Sequence, residues 1–167
     1  MNDAMLYLFR HTLYIAVTPE LIEITHAETG RKLAEPPLLA IETKRGRDSV
    51  IAVGSMAKHL TGKPNVRIEN GFSHPRTLLA DFTAAQRTLA HLIKRALPLG
   101  FFVRRPIVVM HPLTMLEGGL TQIEIRAFAE LASMAGASRA YVWQGPSLTT
   151  EQLRKHSFPE QGRLLFP

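Results

Sequence analysis

The residue types that most often carry out chemistry are present, but their spacing favours neither a metal site nor a hydrolase. The chain has seven histidines and no cysteine, so disulfides and thiolate chemistry are excluded. No two histidines stand at a short ligand spacing such as His-x-x-x-His, which zinc sites commonly use. Gly-x-Ser-x-Gly is absent, and no Ser-His-Asp set is identifiable. His111-Pro112 follows an apolar run and is expected in a loop.

Gly118 and Gly119 resemble a phosphate-binding turn. Backbone amides at a helix N-terminus can bind an anion when small residues precede them. Such glycines also commonly do no more than shape the entry to a helix, so the pair alone does not predict a ligand. Thr121 and Glu124 then form a capping box, in which hydroxyl and carboxylate satisfy exposed amides of the first helical turn.

The net charge of +6 favours anionic partners, which include phospholipid headgroups, nucleic acid and acidic protein surfaces. The basic residues are scattered apart from small clusters at 44–47 and at Arg104-Arg105. Base-stacking aromatic residues are not interleaved with them, so nucleic acid is the least favoured of these partners. A contribution to solubility alone is an equally consistent interpretation.

An apolar N-terminal segment is the candidate contact with a membrane or a partner protein. It consists of Met5, Leu6, Leu8 and Phe9, followed by Arg10. A short amphipathic helix can lie at a membrane interface, although one segment of this size binds marginally. Many copies in an assembly would bind by avidity. Packing as an ordinary core segment is an equally consistent alternative.

The elements that must position these residues begin with strands. Residues 13–17 and 21–25 are predicted to form a hairpin around Thr18-Pro19. A third strand is expected within 33–42, where Pro36-Pro37 favours an edge or a bulge. A short strand over 49–53 and a short helix over 54–60 follow.

Helices and strands then alternate. The capping-box pattern Thr83–Gln86 predicts a helix start, and an apolar stripe continues to Ala96. A buried strand over 106–110, a helix from Thr121 to Gly136 and a strand over 140–143 come next. A short helix over 149–155 and a tail over 157–167 complete the prediction. This order predicts an α/β fold with a mixed sheet flanked by helices.

Several short segments carry a resemblance to a known family. In chain order they are Leu13–Val17, Leu33–Ile41, Ala52-Val53-Gly54, Ala57-Lys58, Gly62-Lys63-Pro64, Leu79–Phe82, Thr121–Ala127 and Ala135–Ser138. Together they resemble the rod-shape-determining MreB family over about residues 5 to 148. The resemblance implies a ribonuclease-H-like, actin-like ATPase domain I, in a chain truncated to its first lobe. It places one lobe at 1–148, with a small inserted region over 43–76, and a helix and tail at 149–167.

The departures from the family pattern fall where the family binds ATP. The resemblance puts a metal-associated Asp at Ala16 and a glycine at Thr18, and Pro19 removes an amide donor outright. A methyl group cannot compensate the charge of magnesium phosphate. The family's acidic pair after the last strand is replaced by Gln144-Gly145. Glu124 matches the family's water-orienting acid, but we expect it to act as a helix cap.

The resemblance therefore implies a non-catalytic interaction or scaffold module linked to cell shape and the cytoskeleton, without a cofactor. Its expected partner is an MreB-type filament, another protein or a second copy. The alternatives are an ATPase subunit completed by a second chain, which would need ATP and magnesium, a basic protein binding nucleic acid or anionic membrane, and a folded chain without a role. No apolar run reaches the roughly 18 residues of a membrane span. We expect a cytoplasmic protein, with peripheral attachment to the inner membrane as the open question.

Overall fold

Strand β1 (Thr12–Val17) lies inside the main sheet and is buried on both faces. The structure, a computed structural model, describes residues 11–98, 104–114 and 117–166. Leu13, Ile15 and Val17 face one hydrophobic core, whereas Tyr14 faces a second, smaller one. This two-sided burial is what a continuous apolar run predicts.

The main sheet has six strands within the described part of the chain. Its order is β3 (Lys32–Glu35), β2 (Ile22–His26), β1, β7 (Ile107–Pro112), β8 (Arg139–Gln144) and β9 (Arg163–Phe166). Strand β1 pairs antiparallel with β2, as the predicted hairpin requires, and parallel with β7. Strand β8 continues the parallel arrangement, and the edge strands β3 and β9 run antiparallel to their neighbours.

Strand β9 corrects the prediction of a tail over 157–167. The segment returns to the sheet edge and crosses the indole ring of Trp143, which is fully buried. A Cβ atom at Gly162 would lie 2.2 Å from Cζ2 of Trp143, so only glycine permits this close approach. Phe158 packs against the same ring at 5.5 Å between centroids.

A second sheet has three antiparallel strands in the order β5 (Arg47–Val53), β4 (Leu38–Lys44), β6 (Val66–Asn70). One strand was predicted within 33–42, and the structure has two, because the chain leaves the edge strand β3 at Pro36-Pro37 and enters β4 in the other sheet. Proline has no N–H to donate to a neighbouring strand, so strand pairing is readily interrupted at this pair of prolines. Strand β6 was not predicted, and the bounds 43–76 of an inserted region stay a prediction.

Four helices complete the described fold: α1 (Ser55–Lys58), α2 (Phe82–Ala96), α3 (Gln122–Met134) and α4 (Thr150–Lys155). Helices α2 and α3 contribute to the larger core, and the predicted apolar stripe of α2 is confirmed as buried. Helix α4 contributes Leu153 to the smaller core on the opposite face. The predicted α/β architecture of a mixed sheet flanked by helices is therefore confirmed.

The two predicted capping boxes have different outcomes. At α3 the box is confirmed, because the Glu124 amide donates to Thr121 Oγ1 and the Thr121 amide donates to Glu124 Oε2. At α2 the box Thr83–Gln86 is wrong. The helix begins at Phe82, and Asp81 Oδ1 accepts the Ala84 amide at 2.9 Å. Gln86 instead donates to the carbonyl of Met134 in α3.

Replacing Asp81 with alanine should lower the free energy of unfolding by about 1 kcal/mol, because the Ala84 amide loses its acceptor. The matched control is Thr83→Ala, which removes an exposed side chain that makes no cap. Urea unfolding followed by circular dichroism measures both. An equal loss in the two variants would contradict the assignment of Asp81 as the cap.

Candidate functional site

The candidate site lies where the parallel strands β1, β7 and β8 end, an edge that we call the carboxyl edge. Val17 pairs with Pro112 there, and Gln144 ends β8. Open α/β sheets bind ligands beyond the carboxyl ends of their strands. The predicted phosphate-loop residues Thr18 and Pro19 follow β1 directly, so the structure brings them to this edge.

The turn over residues 18–21 is closed on itself by hydrogen bonds. The amide of Thr18 donates to the Leu21 carbonyl at 2.9 Å. The amides of Glu20 and Leu21 both donate to Thr18 Oγ1, at 3.3 and 3.0 Å. Pro19 has no amide hydrogen, and its carbonyl accepts from Asn70 Nδ2. Every amide of this turn is therefore absent or already paired, whereas a phosphate cradle needs amides that point at the ligand.

Ala16 presents a methyl group where the family resemblance implies a carboxylate. It lines an open cavity of about 370 Å³ together with Tyr14, Thr18 and residues of the loop after β8. The acid at this cavity is Glu23, whose Oε1 lies 4.0 Å from Lys32 Nζ. Glu23 lies on β2, opposite Ala16 of β1, where the resemblance implies a carboxylate. The charge of Glu23 is already partly balanced by Lys32.

A buried pair that the sequence did not suggest stands behind this cavity. The Tyr14 hydroxyl contacts Nδ1 of His111, and both residues are almost fully buried. Burial raises the pKa of Tyr14 and lowers the pKa of His111, so both groups are neutral near pH 7. Hydrogen bonding to Ser147 and to the Leu148 backbone opposes this rise in the pKa of Tyr14. The prediction that His111 lies in a loop is wrong, because it is part of β7.

Glu124 is held by its own helix start. Its Oε2 accepts the Thr121 amide at 2.9 Å and the Thr121 hydroxyl at 2.8 Å. Thr77 Oγ1 donates to the other carboxylate oxygen at 3.3 Å. The backbone hydrogen bond from Thr121 is the main reason why the pKa of Glu124 lies below its usual value. The predicted cap is confirmed, and a role in orienting water stays a hypothesis.

Gly118 and Gly119 lead into α3 at the same edge. Their φ angles are +79° and +80°, a left-handed conformation that favours glycine. A Cβ atom on Gly119 would lie 3.9 Å from Gln144 Oε1, so this turn approaches the end of β8. The two glycines have the backbone shape that a turn requires, and a phosphate-binding role for them stays a prediction.

The membrane or partner segment Met5, Leu6, Leu8, Phe9 and Arg10 lies outside the described residues. Within 11–98, 104–114 and 117–166, no helix combines the length and apolar character that crossing a membrane requires. The same residues contain no group of three or more side chains arranged to hold a metal ion.

Comparison with known proteins decides the family. A family model described as MreB/Mbl protein matches residues 18–150, which is most of the chain. The chain belongs to the MreB/Mbl family. It is 33% identical over 119 residues to the cell shape-determining protein MreB of Escherichia coli K12, covering 70% of this chain and 33% of that protein. It is 24% identical over 136 residues to Mbl of Bacillus subtilis 168, covering 81% and 39%.

Solved structures show that the fold is actin-like. MreB5 of Spiroplasma citri bound to ADP matches with a TM-score of 0.61 and 24% identity, over 80% of this chain and 37% of that one. A non-polymerising mutant of MamK bound to AMPPNP matches with a TM-score of 0.58 and 15% identity, over 80% and 40%. The resemblance to the MreB family and the predicted actin-like fold class are thus confirmed. The chain spans about a third of the length of the MreB sequences it matches.

The free energy of unfolding should fall as the pH is lowered from about 7 to about 5.5. Burial lowers the pKa of His111 and of His26 in the folded protein, so the unfolded chain, with pKa values near 6.5, binds more protons in this range. His111→Gln should reduce the slope, and His59→Gln, at an exposed position, should leave it unchanged. Urea unfolding across this range measures it. A slope that His111→Gln does not alter would contradict the assignment.

Proposed function

We propose that this chain is a non-catalytic MreB-like domain that serves as an interaction or scaffold module in a shape-determining cytoskeleton. The observation that carries the proposal is the closed turn over residues 18–21. Its amides bond to Thr18 and Leu21 of the same turn, and Pro19 has none to offer. A triphosphate would have to break these bonds before it could be held by the backbone.

The charges around the turn support the same proposal. Magnesium bound to nucleotide prefers carboxylate oxygens together with phosphate oxygens and water. Ala16 offers no oxygen from its side chain, and the adjacent acid Glu23 lies beside Lys32. Gln144, at the end of β8, is neutral. MreB5 of Spiroplasma citri is bound to ADP in its crystal structure. Among the described residues that line this cavity, the carboxylate is that of Glu23, which already lies beside Lys32.

The packing of the hydrophobic cores supports the proposal that the domain acts through its surface. In the described part of the chain, each face of the main sheet packs against a hydrophobic core. A domain that keeps its packing without a phosphate cradle is what an interaction module requires. Its partner would be an MreB-type filament, another protein or a second copy of the chain.

Titration calorimetry with magnesium and ATP tests the proposal. The chain should give no saturable heat at any concentration below the millimolar range, because the turn is closed and Ala16 has no carboxylate. Ala16→Asp combined with Thr18→Gly is the matched variant, because it supplies a carboxylate and removes the hydroxyl that accepts the Glu20 and Leu21 amides. It should bind more tightly than the natural sequence. A micromolar Kd for the natural sequence would overturn the proposal and favour an ATPase subunit completed by a second chain.

The charge distribution favours a second candidate, which is binding to an anionic membrane surface. Exposed basic residues gather at the amino edge, where β1, β7 and β8 begin. They are Arg31, Lys94, Arg95, Arg104, Arg105, Arg139, Arg154 and Lys155. Acids offset part of this charge, because Glu151 lies 2.7 Å from Lys155 and Glu35 binds Arg95, whereas Glu28 accepts the Thr12 amide. In the sequence, the apolar segment 5–10 directly precedes β1, and a basic surface combined with an apolar segment is typical of proteins that bind at a membrane interface.

Sedimentation with phosphatidylglycerol vesicles tests this candidate. The chain should pellet with them, but not with phosphatidylcholine vesicles, and binding should weaken as salt rises. Lys94→Glu combined with Arg104→Glu should weaken binding by at least about tenfold, since each basic residue contributes about 1 kcal/mol near an anionic surface. Lys63→Glu, at an exposed position in the loop before β6, is the control. Equal binding to both kinds of vesicle would rule this candidate out.

A further inference from the structure

Strand β5 and helix α2 border a cavity at the free edge of the second sheet. Strand β5 pairs with β4 on one side and with no described strand on the other. The cavity has a volume of about 280 Å³, and residues 50–53 of β5 form one of its walls. Met56 of α1 and two side chains of α2, His91 and Arg95, form the rest. Free strand edges and the grooves beside them are docking positions for segments of other proteins.

The apolar side chains at this cavity are unusually exposed. Ile51 is 41% exposed and Met56 is 67% exposed, although both side chains are large and apolar. The register between β4 and β5 shifts between Ala40 and Ile41, so Ile51 is an extra residue of β5 without a direct partner. A bulge of this kind commonly turns a side chain of an edge strand in a new direction. Ile51 and Met56 thus form an apolar surface that the described part of the chain leaves uncovered.

Basic side chains border the cavity on the helix side. Arg87, His91 and Arg95 follow one another at intervals of four residues, so they lie along one side of α2. The Arg67 guanidinium is the main cause of the low pKa of Asp48, and the charge of Arg87 adds to the effect. Arg87 therefore lies near the start of β5, and the basic side of α2 runs along the free edge of the strand.

The acids at this surface already have partners within the chain. Asp48 and Glu35 each accept a hydrogen bond from an arginine, at 2.7 and 2.6 Å. Arg47 and Arg87 are exposed, and neither forms an ion pair with another described residue. The surface therefore combines exposed apolar side chains with positive charge that is not balanced locally.

The size and charge of the cavity favour a side chain of another protein as its occupant. Sites for small molecules commonly begin at about 300 Å³, and this cavity is no larger. It lies between a strand and a helix, so a protruding side chain reaches it more readily than the flat surface of a membrane does. A second copy of the chain is disfavoured, because each copy has a net charge of +6.

We infer that an acidic segment of another protein binds the strand-edge surface, which consists of β5, Met56 and the side of α2 that carries Arg87. A large apolar side chain of that segment lies against Ile51 and Met56. Its carboxylates lie beside Arg47 and Arg87. The inference deepens the proposed function and rests on it, because it names the class of partner that the interaction module binds.

Selection of short random peptides on the immobilised full chain tests the inference. The enriched peptides should carry a net negative charge and at least one large apolar residue. Fluorescence anisotropy with labelled copies of these peptides then measures their affinity. Ile51→Thr keeps a β-branched side chain in the strand but removes apolar surface, and it should weaken binding about tenfold. Arg47→Glu combined with Arg87→Glu should weaken binding at least about tenfold, because like charges would then face one another.

Two matched variants serve as controls. Ile123→Thr replaces an exposed isoleucine on α3, and Arg163→Glu reverses an exposed charge on β9, at the far edge of the main sheet. Both should leave the affinity for the peptides unchanged. Circular dichroism checks that every variant folds, as expected from the exposure of the replaced residues.

The inference is overturned if selection enriches no peptide or enriches neutral or basic ones, or if Ile51→Thr binds the peptides as tightly as the natural chain. A dimer that Ile51→Thr dissociates would assign the surface to a second copy, and vesicle binding that Ile51→Thr abolishes would assign it to a membrane. Either result would also overturn the inference.

The peptide selection needs no nucleotide, so its failure leaves the proposed function to its own calorimetric test. Nucleotide binding in that test would overturn the proposed function without removing the affinity for acidic peptides.

Discussion

The two-sided burial of β1 is the constraint on which the rest of the molecule depends. One face carries Leu13, Ile15 and Val17 into the core beneath α2 and α3, and the other carries Tyr14 into the core beneath α4. A strand buried in this way cannot slip by one residue without reversing every side chain. The residues that leave its two ends are therefore fixed in position, with Thr18 at the carboxyl edge and His11 at the amino edge.

The closed turn after β1 satisfies its own backbone amides by local hydrogen bonds. The hydroxyl of Thr18 accepts amides that would otherwise need an external acceptor. Serine and threonine side chains commonly compete for nearby backbone groups in this way. Such a turn is satisfied without any anion, so the hairpin of β1 and β2 needs no ligand to complete its hydrogen bonds. The buried contact between Tyr14 and His111 stabilises the same edge from behind.

The sequence was informative where the signal is local and strong. The apolar runs of β1 and β7 and the capping box at Thr121 needed no knowledge of distant residues. Strands β6 and β9 were not predicted, because they are short and their strand conformation depends on pairing with a neighbouring strand. At α2, Thr83 matched the capping-box pattern, but Asp81, two residues earlier, makes the cap. Tyr14 and His111 are 97 residues apart, so only the fold shows that they meet.

The path of the C-terminal segment over Trp143 gives the protein a built-in optical reporter. This residue is the sole tryptophan of the sequence, and its indole is fully buried beneath Gly162 and Phe158. Its Nε1 donates to the Pro146 carbonyl at 2.9 Å, which holds the ring in one orientation. The emission of this single tryptophan therefore reports on whether the returning segment covers the indole ring.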